Sequence, residues 1–241
     1  MRKTIGLVMA GGIGKRFHSE IPKVFHPVLG VPMVEYPIRA LKEAGITSIY
    51  LVVQKGYEAL AEGINANKVV QKGVTGTARA VLSAQKHLSH FHGNLLVLSG
   101  DVPLITAKSL REFLDNHWKS RAFASLMGAR MVSDSGYGRI LTKGTQVEIR
   151  EADEMAENEK KRYLANVGIY LFPCPEIFAY LKKIPPATSG EYYLPRVFSL
   201  FAREEKKIFV YELAEPTEGK GVNTREEFTE STILLHHRIL R

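Results

Sequence analysis

A glycine-rich loop followed by positive charges comes directly after the first apolar run of the chain. The stretch VMAGGIGKRF, residues 8–17, holds three glycines and then Lys15 and Arg16, and Lys23 follows shortly afterwards. Glycines let backbone N–H groups approach an anion without obstruction, and lysine and arginine side chains neutralise phosphate charge. A glycine turn that only joins a strand to a helix is the alternative interpretation. The three cations beside the turn favour a polyphosphate ligand.

The loop departs from two common phosphate-binding motifs. A P-loop needs Ser or Thr after its Gly-Lys pair, whereas Arg16 stands there, and the spacing before the pair is too short. A dinucleotide-binding loop needs a third glycine where this chain has Phe17, and an acidic residue at the end of the next strand, which here ends at Gln54. A polyphosphate site of another kind is therefore predicted.

Two further polar residues follow apolar runs. Asp101 ends the run LLVLSGD, where a carboxylate can hold Mg²⁺ between two phosphates; alternatively, it only stabilises the turn before Pro103. The carboxamide of Gln71 offers one hydrogen-bond donor and one acceptor to a ligand. The alternative for Gln71 is a surface residue at the end of a strand.

Strands and helices alternate in the first half of the chain. The runs TIGLVMA, ITSIYLVVQ and NLLVLSGD are typical of buried strands. Helices are predicted for MVEYPIRALKEAG, closed by Gly45, for TARAVLSAQKHLSHF, and for TAKSLREFLDNHWKS with Thr106 as N-cap. This order favours an α/β fold with a doubly wound, mostly parallel, Rossmann-like sheet, whose ligand cleft lies at the carboxyl ends of the strands.

From about Phe123 the pattern changes to strands separated by turns. The stretches AFASLMGARM, GYGRIL, TQVEIREAD, YLANVGIYLF and KKIFVYELA predict strands, and CPEIFAYLKKI predicts a helix among them. We expect these strands to extend the sheet and to add a small β-rich lid region. Thr224 and Glu227 form a capping box that predicts a C-terminal helix.

Composition limits the classes of partner. The chain has 241 residues, of which 45% are hydrophobic, enough for one large α/β domain. Cys174 is the only cysteine, which excludes an internal disulfide and favours the cytoplasm. The net charge of +8 comes from basic residues interleaved with glutamates, so we expect no nucleic acid. No apolar run approaches the roughly 20 residues that a membrane span needs, so we expect no membrane partner.

The motifs together resemble a known family. MAGGIGKRF and PKVFHPVLGVPM are similar to the signature of the sugar-1-phosphate nucleotidyltransferases. VVQKGVTGTARAV, LVLSGDVPLIT, GYGRIL, NVGIYLF, GEYYLPRV and GVNTREEF follow in the order expected of the bacterial N-acetylglucosamine-1-phosphate uridylyltransferases, over nearly the whole chain. The resemblance implies transfer of a nucleotidyl group from UTP to that sugar phosphate, with pyrophosphate as product, Mg²⁺ as cofactor and small molecules as partners.

The resemblance also divides the chain and assigns its residues. It implies one nucleotidyltransferase domain over residues 1–241, with a nucleotide-binding half at 1–120, a sugar-binding half at 121–225 and a C-terminal helix at 226–241. Arg16 and Lys23 are implied to be catalytic, and Asp101 and Asn223 to bind the metal. The implied nucleotide contacts are Met9, Gly11, Gly12, Gly14, Lys15, Gln71, Gly76 and Thr77. The implied sugar contacts are Gly136, Glu151, Asn166 and Tyr193, with Glu148 or Asp153 as alternatives to Glu151.

Three residues depart from the family pattern and leave the specificity open. Lys15 stands in place of the usual threonine, Val74 in place of a second glutamine, and Ser99 in place of a frequent aromatic residue. The alternatives are a cytidylyltransferase or other sugar-phosphate transferase, and a nucleotide-binding regulatory module without turnover. No hexapeptide period follows Asn223, so acetyltransferase activity is not expected. The oligomeric state stays open.

Overall fold

The computed structural model describes residues 3–12, 17–73, 76–131, 136–143, 146–150 and 163–240. The strands are β1 (Thr4–Ala10), β2 (Pro27–Val28), β3 (Val31–Pro32), β4 (Ile49–Gln54), β5 (Asn67–Gln71), β6 (Gly93–Ser99), β7 (Ala124–Met131), β8 (Arg139–Lys143), β9 (Gln146–Arg150), β10 (Tyr163–Cys174) and β11 (Ile208–Glu212). The α-helices are α1 (Glu35–Glu43), α2 (Thr77–Ser83), α3 (Gln85–Leu88), α4 (Ala107–Ser120), α5 (Ile177–Leu181), α6 (Val197–Arg203) and α7 (Arg225–Ile239). Short 3₁₀ turns cover Lys23–Phe25, Glu58–Ala61, Leu194–Arg196 and Pro216–Gly219.

One large sheet organises the chain, in the strand order β11-β7-β10-β6-β1-β4-β5. β1 runs parallel to β4 and β6, β4 is parallel to β5, and β7 is parallel to β11. β10 is antiparallel to both β6 and β7. An antiparallel neighbour needs no helical crossover, so the chain reaches β10 from β7 through the β8–β9 hairpin. The predicted α/β fold with a mostly parallel sheet is confirmed.

Hydrophobic layers cover both faces of the sheet. Leu7 and Val97 pack on the face that carries α2, α5 and α6. Val8 and Leu98 pack on the opposite face, against α1 and α4. Neighbouring residues of one strand are thus buried on opposite sides, which explains why the central strands are continuous apolar runs in the sequence.

The predicted helix ends are confirmed where capping residues marked them. The Thr106 side chain accepts a hydrogen bond from the Ser109 N–H at 3.2 Å and begins α4. The Thr224 and Glu227 side chains form the capping box of α7. After α1, Gly45 adopts a φ of +90°, a conformation that glycine adopts without strain. No helix in the described ranges is long and apolar enough to span a bilayer.

Three local predictions were wrong or incomplete. The single helix predicted from Thr77 is two helices, α2 and α3, because an Ala84 N–H to Val81 carbonyl bond tightens the turn between them. β5 was missed; it lies at the sheet edge with two exposed residues, so it lacks a strong apolar pattern. It follows β4 through a 3₁₀ turn rather than through a helix. α6 was also missed.

The β8–β9 hairpin lies beside the main path of the sheet. β8 pairs with β9 along its length and with β10 at Arg139 and Ala165. Val147 and Ile149 of β9 are buried against the layer that contains α6. The hairpin is therefore anchored to the core on one side.

Candidate active site

A cleft of about 750 Å³ opens where the parallel strands end. Ligand pockets typically measure about 300–1,000 Å³, so the cleft is large enough for a small-molecule ligand. The predicted site residues that lie within the described ranges all line it: Met9, Gly11, Gly12, Lys23, Gln71, Gly76, Thr77, Asp101, Gly136, Asn166, Tyr193 and Asn223. Gly14, Lys15, Arg16 and Glu151 lie outside the described residues, as does Asp153. Glu148 is exposed, pairs with Arg150 at 3.1 Å and does not line the cleft.

A buried ammonium group lies at the centre of the cleft. Lys23 Nζ is 2.5 Å from Asp101 Oδ2, and the two side chains are 9% and 16% exposed. The same ammonium donates a hydrogen bond to Asn223 Oδ1 at 2.7 Å. Three residues with predicted roles in phosphate and metal chemistry are thus in direct contact.

Backbone contacts hold these three residues in place. Lys23 begins a 3₁₀ turn after Pro22, whose carbonyl accepts a hydrogen bond from the Phe25 N–H at 3.0 Å. The Asp101 carbonyl accepts from the Val222 N–H at 2.9 Å, which brings the segment before α7 against the end of β6. The position of Asn223 therefore depends on a contact with the loop that carries Asp101.

A second contact holds the segment before α7, through Glu218 and Thr106. The buried Glu218 carboxylate accepts hydrogen bonds from the Thr106 N–H at 3.1 Å and from the Thr106 hydroxyl at 2.9 Å. The N-cap of α4 is thereby joined to the turn that precedes Asn223, and these hydrogen bonds restrain the turn relative to the helix.

The charge of Asp101 is set by its neighbours. Burial alone would raise the pKa of this carboxyl group, but the Lys23 ammonium and hydrogen bonds from Lys23 and Ser99 outweigh burial and lower the pKa. Asp101 is therefore a carboxylate at neutral pH.

Asp101 and Asn223 also fit a divalent cation. Their side-chain oxygens converge on one positive group, the Lys23 ammonium, and Mg²⁺ prefers hard oxygen donors of this kind. In the part of the chain that the structure describes, no group of three or more His, Cys, Asp or Glu side chains could hold a metal. The donor set suits an ion that completes its shell with water and substrate phosphates.

Away from the Lys23 cluster, the Gln71 side chain packs closely over Gly11 in the wall of the cleft. The Gln71 side chain is 5% exposed, and its Nε2 lies 3.5 Å from the Gly76 carbonyl. A Cβ atom added to Gly11 would lie 2.8 Å from Gln71 Oε1. The absence of a side chain at position 11 is therefore a condition for the position of this carboxamide.

The start of α2 is joined to the segment that carries Tyr193. The Thr77 hydroxyl accepts a hydrogen bond from the Leu194 N–H at 2.8 Å, and the Ala78 N–H donates to the Tyr192 carbonyl at 2.9 Å. The Arg79 guanidinium lies 4.0 Å from the centre of the Tyr192 ring. Thr77 thus positions this wall of the cleft, a role that its predicted nucleotide contact did not include.

Gly76 is predicted to be the least replaceable glycine of this wall. It has a φ of +117°, and an added Cβ would lie 2.5 Å from the Tyr192 carbonyl oxygen. Gly76→Ala should lower the free energy of unfolding by more than about 2 kcal/mol, because backbone strain and overpacking add. Denaturant melts of the purified variant measure the loss.

Gly63→Ala is the matched control. Gly63 has a φ of +83°, but no atom lies within 4 Å of an added Cβ. This variant should lose about 1–2 kcal/mol from backbone strain alone. Equal losses for the two variants would show that the contact with Tyr192 has no energetic effect.

The opposite side of the cleft is built around a bulge in β10. The register of β10 against β7 shifts between Asn166 and Tyr170, and Gly168 within the bulge has a φ of +74°. The Asn166 side chain donates to the Tyr170 hydroxyl at 2.8 Å and accepts from the Gly168 N–H at 3.3 Å. Its backbone N–H donates to the Gly138 carbonyl at 2.8 Å, beside Gly136. Asn166 is thus held rigidly at the cleft.

Other lining residues were missed or left undecided by sequence reasoning. Ser99, Gln54 and Glu191 line the cleft without having been assigned to it. Tyr137, for which strand packing was the alternative, also lines it; its hydroxyl accepts from the Gly221 N–H at 2.5 Å and donates to the Gly221 carbonyl at 3.1 Å. Burial raises the pKa of Tyr137, so the hydroxyl keeps its proton. The only sequence signal for Gln54 was its place at a strand end.

Comparisons with known protein sequences show the family of the chain. Residues 5–213 match the family model described as Nucleotidyl transferase. The chain is 36% identical over 239 residues to the Bifunctional protein GlmU of Pelotomaculum thermopropionicum, covering 97% of this chain and 52% of that protein. It is 32% identical over 244 residues to the Bifunctional protein GlmU of Enterococcus faecalis, covering 99% and 53%. The chain spans about half the length of the curated relatives it matches.

Solved structures share the fold at low sequence identity. A UDP-glucose pyrophosphorylase complexed with UDP-glucose has a TM-score of 0.75 and 18% identity, with 98% of this chain and 99% of that chain covered. A CMP:2-keto-3-deoxy-manno-octonic acid synthetase complexed with CTP has a TM-score of 0.72 and 17% identity, with 98% and 99% covered. At these identities the likeness shows the fold.

Proposed function

Because the chain belongs to the nucleotidyl transferase family, we propose that it transfers the uridylyl group of UTP to a sugar 1-phosphate, namely N-acetylglucosamine 1-phosphate, and releases pyrophosphate. The observation that carries the proposal is the cleft that gathers Lys23, Asp101 and Asn223 in contact. The motif resemblance over nearly the whole chain supports the choice of uridylyl and of the amino sugar.

The residues of the cleft suit a displacement at phosphorus. An oxygen of the sugar phosphate forms a bond to the α-phosphorus of UTP, and the bond from that phosphorus to the pyrophosphate oxygen breaks. The attacking phosphate is already ionised at neutral pH, so no general base is required. The reaction instead requires neutralisation of the phosphate charges and in-line positioning of the reacting groups. Lys23 supplies a fixed positive charge, while Gly11 and Gly12 leave room for phosphates beside the backbone.

We assign the Mg²⁺ ligands to Asp101 and Asn223. A bound Mg²⁺ would neutralise phosphate charge at this point of the cleft. The carboxylate form of Asp101, which Lys23 favours, is the form that binds a cation. The Lys23 ammonium contacts an oxygen of each residue and so keeps the two proposed ligands close together.

The remaining assignments place the base and the sugar on opposite sides of the cleft. We place the uracil near Gln71 and Gly76 and the sugar near Gly136, Asn166 and Tyr193. We also assign Arg16 to the β- and γ-phosphates of the triphosphate and Glu151 to a hydroxyl of the sugar. We place the enzyme in the cytoplasm, in line with its single, unpaired Cys174.

Pyrophosphate release across the four nucleoside triphosphates and a panel of sugar 1-phosphates tests the proposal. The highest turnover should come from UTP with N-acetylglucosamine 1-phosphate in the presence of Mg²⁺. Nucleotide binding without turnover for every sugar phosphate would favour a regulatory module instead. Best turnover with another sugar phosphate would keep the reaction class and change the substrate.

Base selection gives a separate prediction. UTP should be preferred over CTP by roughly 1–3 kcal/mol in kcat/KM, about 5- to 160-fold, because cytosine reverses the donor and acceptor of the edge that faces Gln71 and leaves a buried amide group unpaired. Steady-state kinetics with both nucleotides at a saturating sugar 1-phosphate measure the ratio. Equal or better use of CTP would contradict the uridylyl assignment and favour a cytidylyltransferase.

A further inference from the structure

A residue that lines the cleft carries an unpaired, buried polar atom. Gln54 lines the cleft, and its side-chain oxygen Oε1 is buried without a hydrogen-bond partner among the described atoms. Most buried polar atoms in proteins are paired, and an unpaired one is unfavourable for stability. None of the roles assigned above involves Gln54, so this unfavourable feature calls for a functional explanation.

The backbone places Gln54 next to the proposed base site. Gln54 ends β4, and in the parallel register its partner is Gln71, the last residue of β5. The Lys55 N–H donates to the Gln71 carbonyl at 2.9 Å, and the Tyr57 N–H donates to the Gln54 carbonyl at 3.1 Å. An added Cβ on Gly11 would lie 3.9 Å from the Gln54 backbone N and 2.8 Å from Gln71 Oε1. Three adjacent strand ends thus present Gly11, Gln54 and Gln71 side by side.

The alternation along β4 also decides which way the side chain points. Side chains two residues apart lie on the same face of a strand, so Gln54 shares a face with Val52. Val52 packs in the layer that contains Ala78 and Val81 of α2. The Gln54 carboxamide therefore faces the helix whose first turn, with Gly76 before it, borders the base site.

The hydrogen-bonding chemistry of Gln54 Oε1 indicates which part of a nucleotide it could contact. An unpaired acceptor needs a donor, and an ionised triphosphate has none, whereas a nucleobase has N–H groups and a ribose has hydroxyls. The neighbouring Gln71 favours the base. We propose that Gln54 is a specificity-determining residue of the nucleotide site and that its Oε1, once the carboxamide turns toward the cleft, shares the N3–H of uracil with the Gln71 carboxamide as a second acceptor. This inference rests on the proposed function. Cytosine has an acceptor at N3, which would leave the Gln54 oxygen unpaired.

Replacement of Gln54 with methionine tests the inference, because methionine keeps the length of the side chain and removes its polar atoms. The free protein should melt a few degrees higher, since an unpaired buried acceptor is gone. The dissociation constant for UTP should nevertheless rise about tenfold. A residue with only a structural role would not move stability and affinity in opposite directions. Gln85→Met, at a half-buried glutamine of α3 outside the cleft, is the matched control and should change neither quantity.

Titration calorimetry with three ligands shows which ligand group contacts Gln54. UTP, 3-methyl-UTP, which lacks the N3–H, and ribose 5-triphosphate, which lacks the base, are titrated into the wild type and Gln54→Met. The variant should lose affinity for UTP only, and the wild type should bind 3-methyl-UTP about as weakly as the variant binds UTP.

Each other outcome has a defined meaning. Unchanged UTP affinity in Gln54→Met would overturn the inference, and an equal loss with ribose 5-triphosphate would assign the contact to a ribose hydroxyl and overturn it as well. If Gln54→Met does not fold, Gln54→Leu replaces it, and equal affinity of the wild type for UTP and 3-methyl-UTP would also overturn the inference. Failure of the wild type to bind any nucleoside triphosphate would instead contradict the proposed function.

Discussion

Lys23→Ala is expected to lower kcat by about 10²–10³-fold, the usual effect of removing one fixed group that stabilises transition-state charge. Its ammonium is buried and held between Asp101 and Asn223, so it does not have to be ordered when substrates bind. Negative charge builds on the oxygens of the α-phosphate during attack, and a fixed cation stabilises that state more than the bound reactants. The affinity for UTP should therefore change much less than kcat.

Steady-state kinetics and direct nucleotide titration separate the two effects. Lys119→Ala, at an exposed lysine of α4 outside the cleft, carries the same change of charge and should leave both quantities unchanged. A Lys23→Ala enzyme with normal kcat and only a raised KM would identify Lys23 as a binding contact.

Asp101→Asn is expected to lower turnover in Mg²⁺ by orders of magnitude while the fold is kept. The substitution preserves the shape of the side chain and removes the negative charge that a divalent cation and the Lys23 ammonium both require. The variant should also be less stable at neutral pH, by up to about 3 kcal/mol, because a buried ammonium loses its counter-charge.

The pH dependence of that stability loss follows from the pKa of Asp101. Folding lowers this pKa, so the carboxylate stabilises the folded wild type at pH values above the pKa of the unfolded chain. The stabilisation is lost as the pH falls through the lower, folded-state pKa. The stability difference between wild type and Asp101→Asn should therefore be largest near neutrality and should shrink in acid.

Asp115→Asn, at an exposed position of α4, is the control for the loss of one negative charge. Denaturant melts over a range of pH, together with initial rates at several Mg²⁺ concentrations, compare the variants. Near-native activity of Asp101→Asn in Mg²⁺ would show that the metal assignment is wrong.

Much of the fold was accessible from local sequence patterns. Central strands such as β1 and β6 are buried on both faces, so their apolar runs are unbroken, and the ends of α4 and α7 carry side-chain caps at Thr106 and Thr224. Strand β5 was not accessible in this way, because its edge position leaves Asn67 and Lys68 exposed. Apolar patterns predict a strand only where its side chains are buried, so an edge strand with exposed polar residues gives a weak pattern.

The residues that line the cleft were easier to predict than the hydrogen bonds that these residues make. Residues after the predicted strands β1 and β6 could be placed at one edge of a parallel sheet, which brought Gly11 and Asp101 together, whereas Gln71 was assigned from its carboxamide and the family resemblance. That Thr77 bonds the backbone of Leu194, and that Gln54 leaves an oxygen unpaired, depends on segments distant in sequence and on side-chain directions. Neither kind of information is present in motif spacing.

The Lys23 to Asn223 hydrogen bond joins residues 200 positions apart. During synthesis, Lys23 leaves the ribosome long before Asn223, so the nascent chain can close this loop only after residue 223 has been made. Such distant contacts slow folding, because the entropy of loop closure is lost before the contact forms. A chain that ends before residue 223 therefore lacks one of the two polar partners of the Lys23 ammonium.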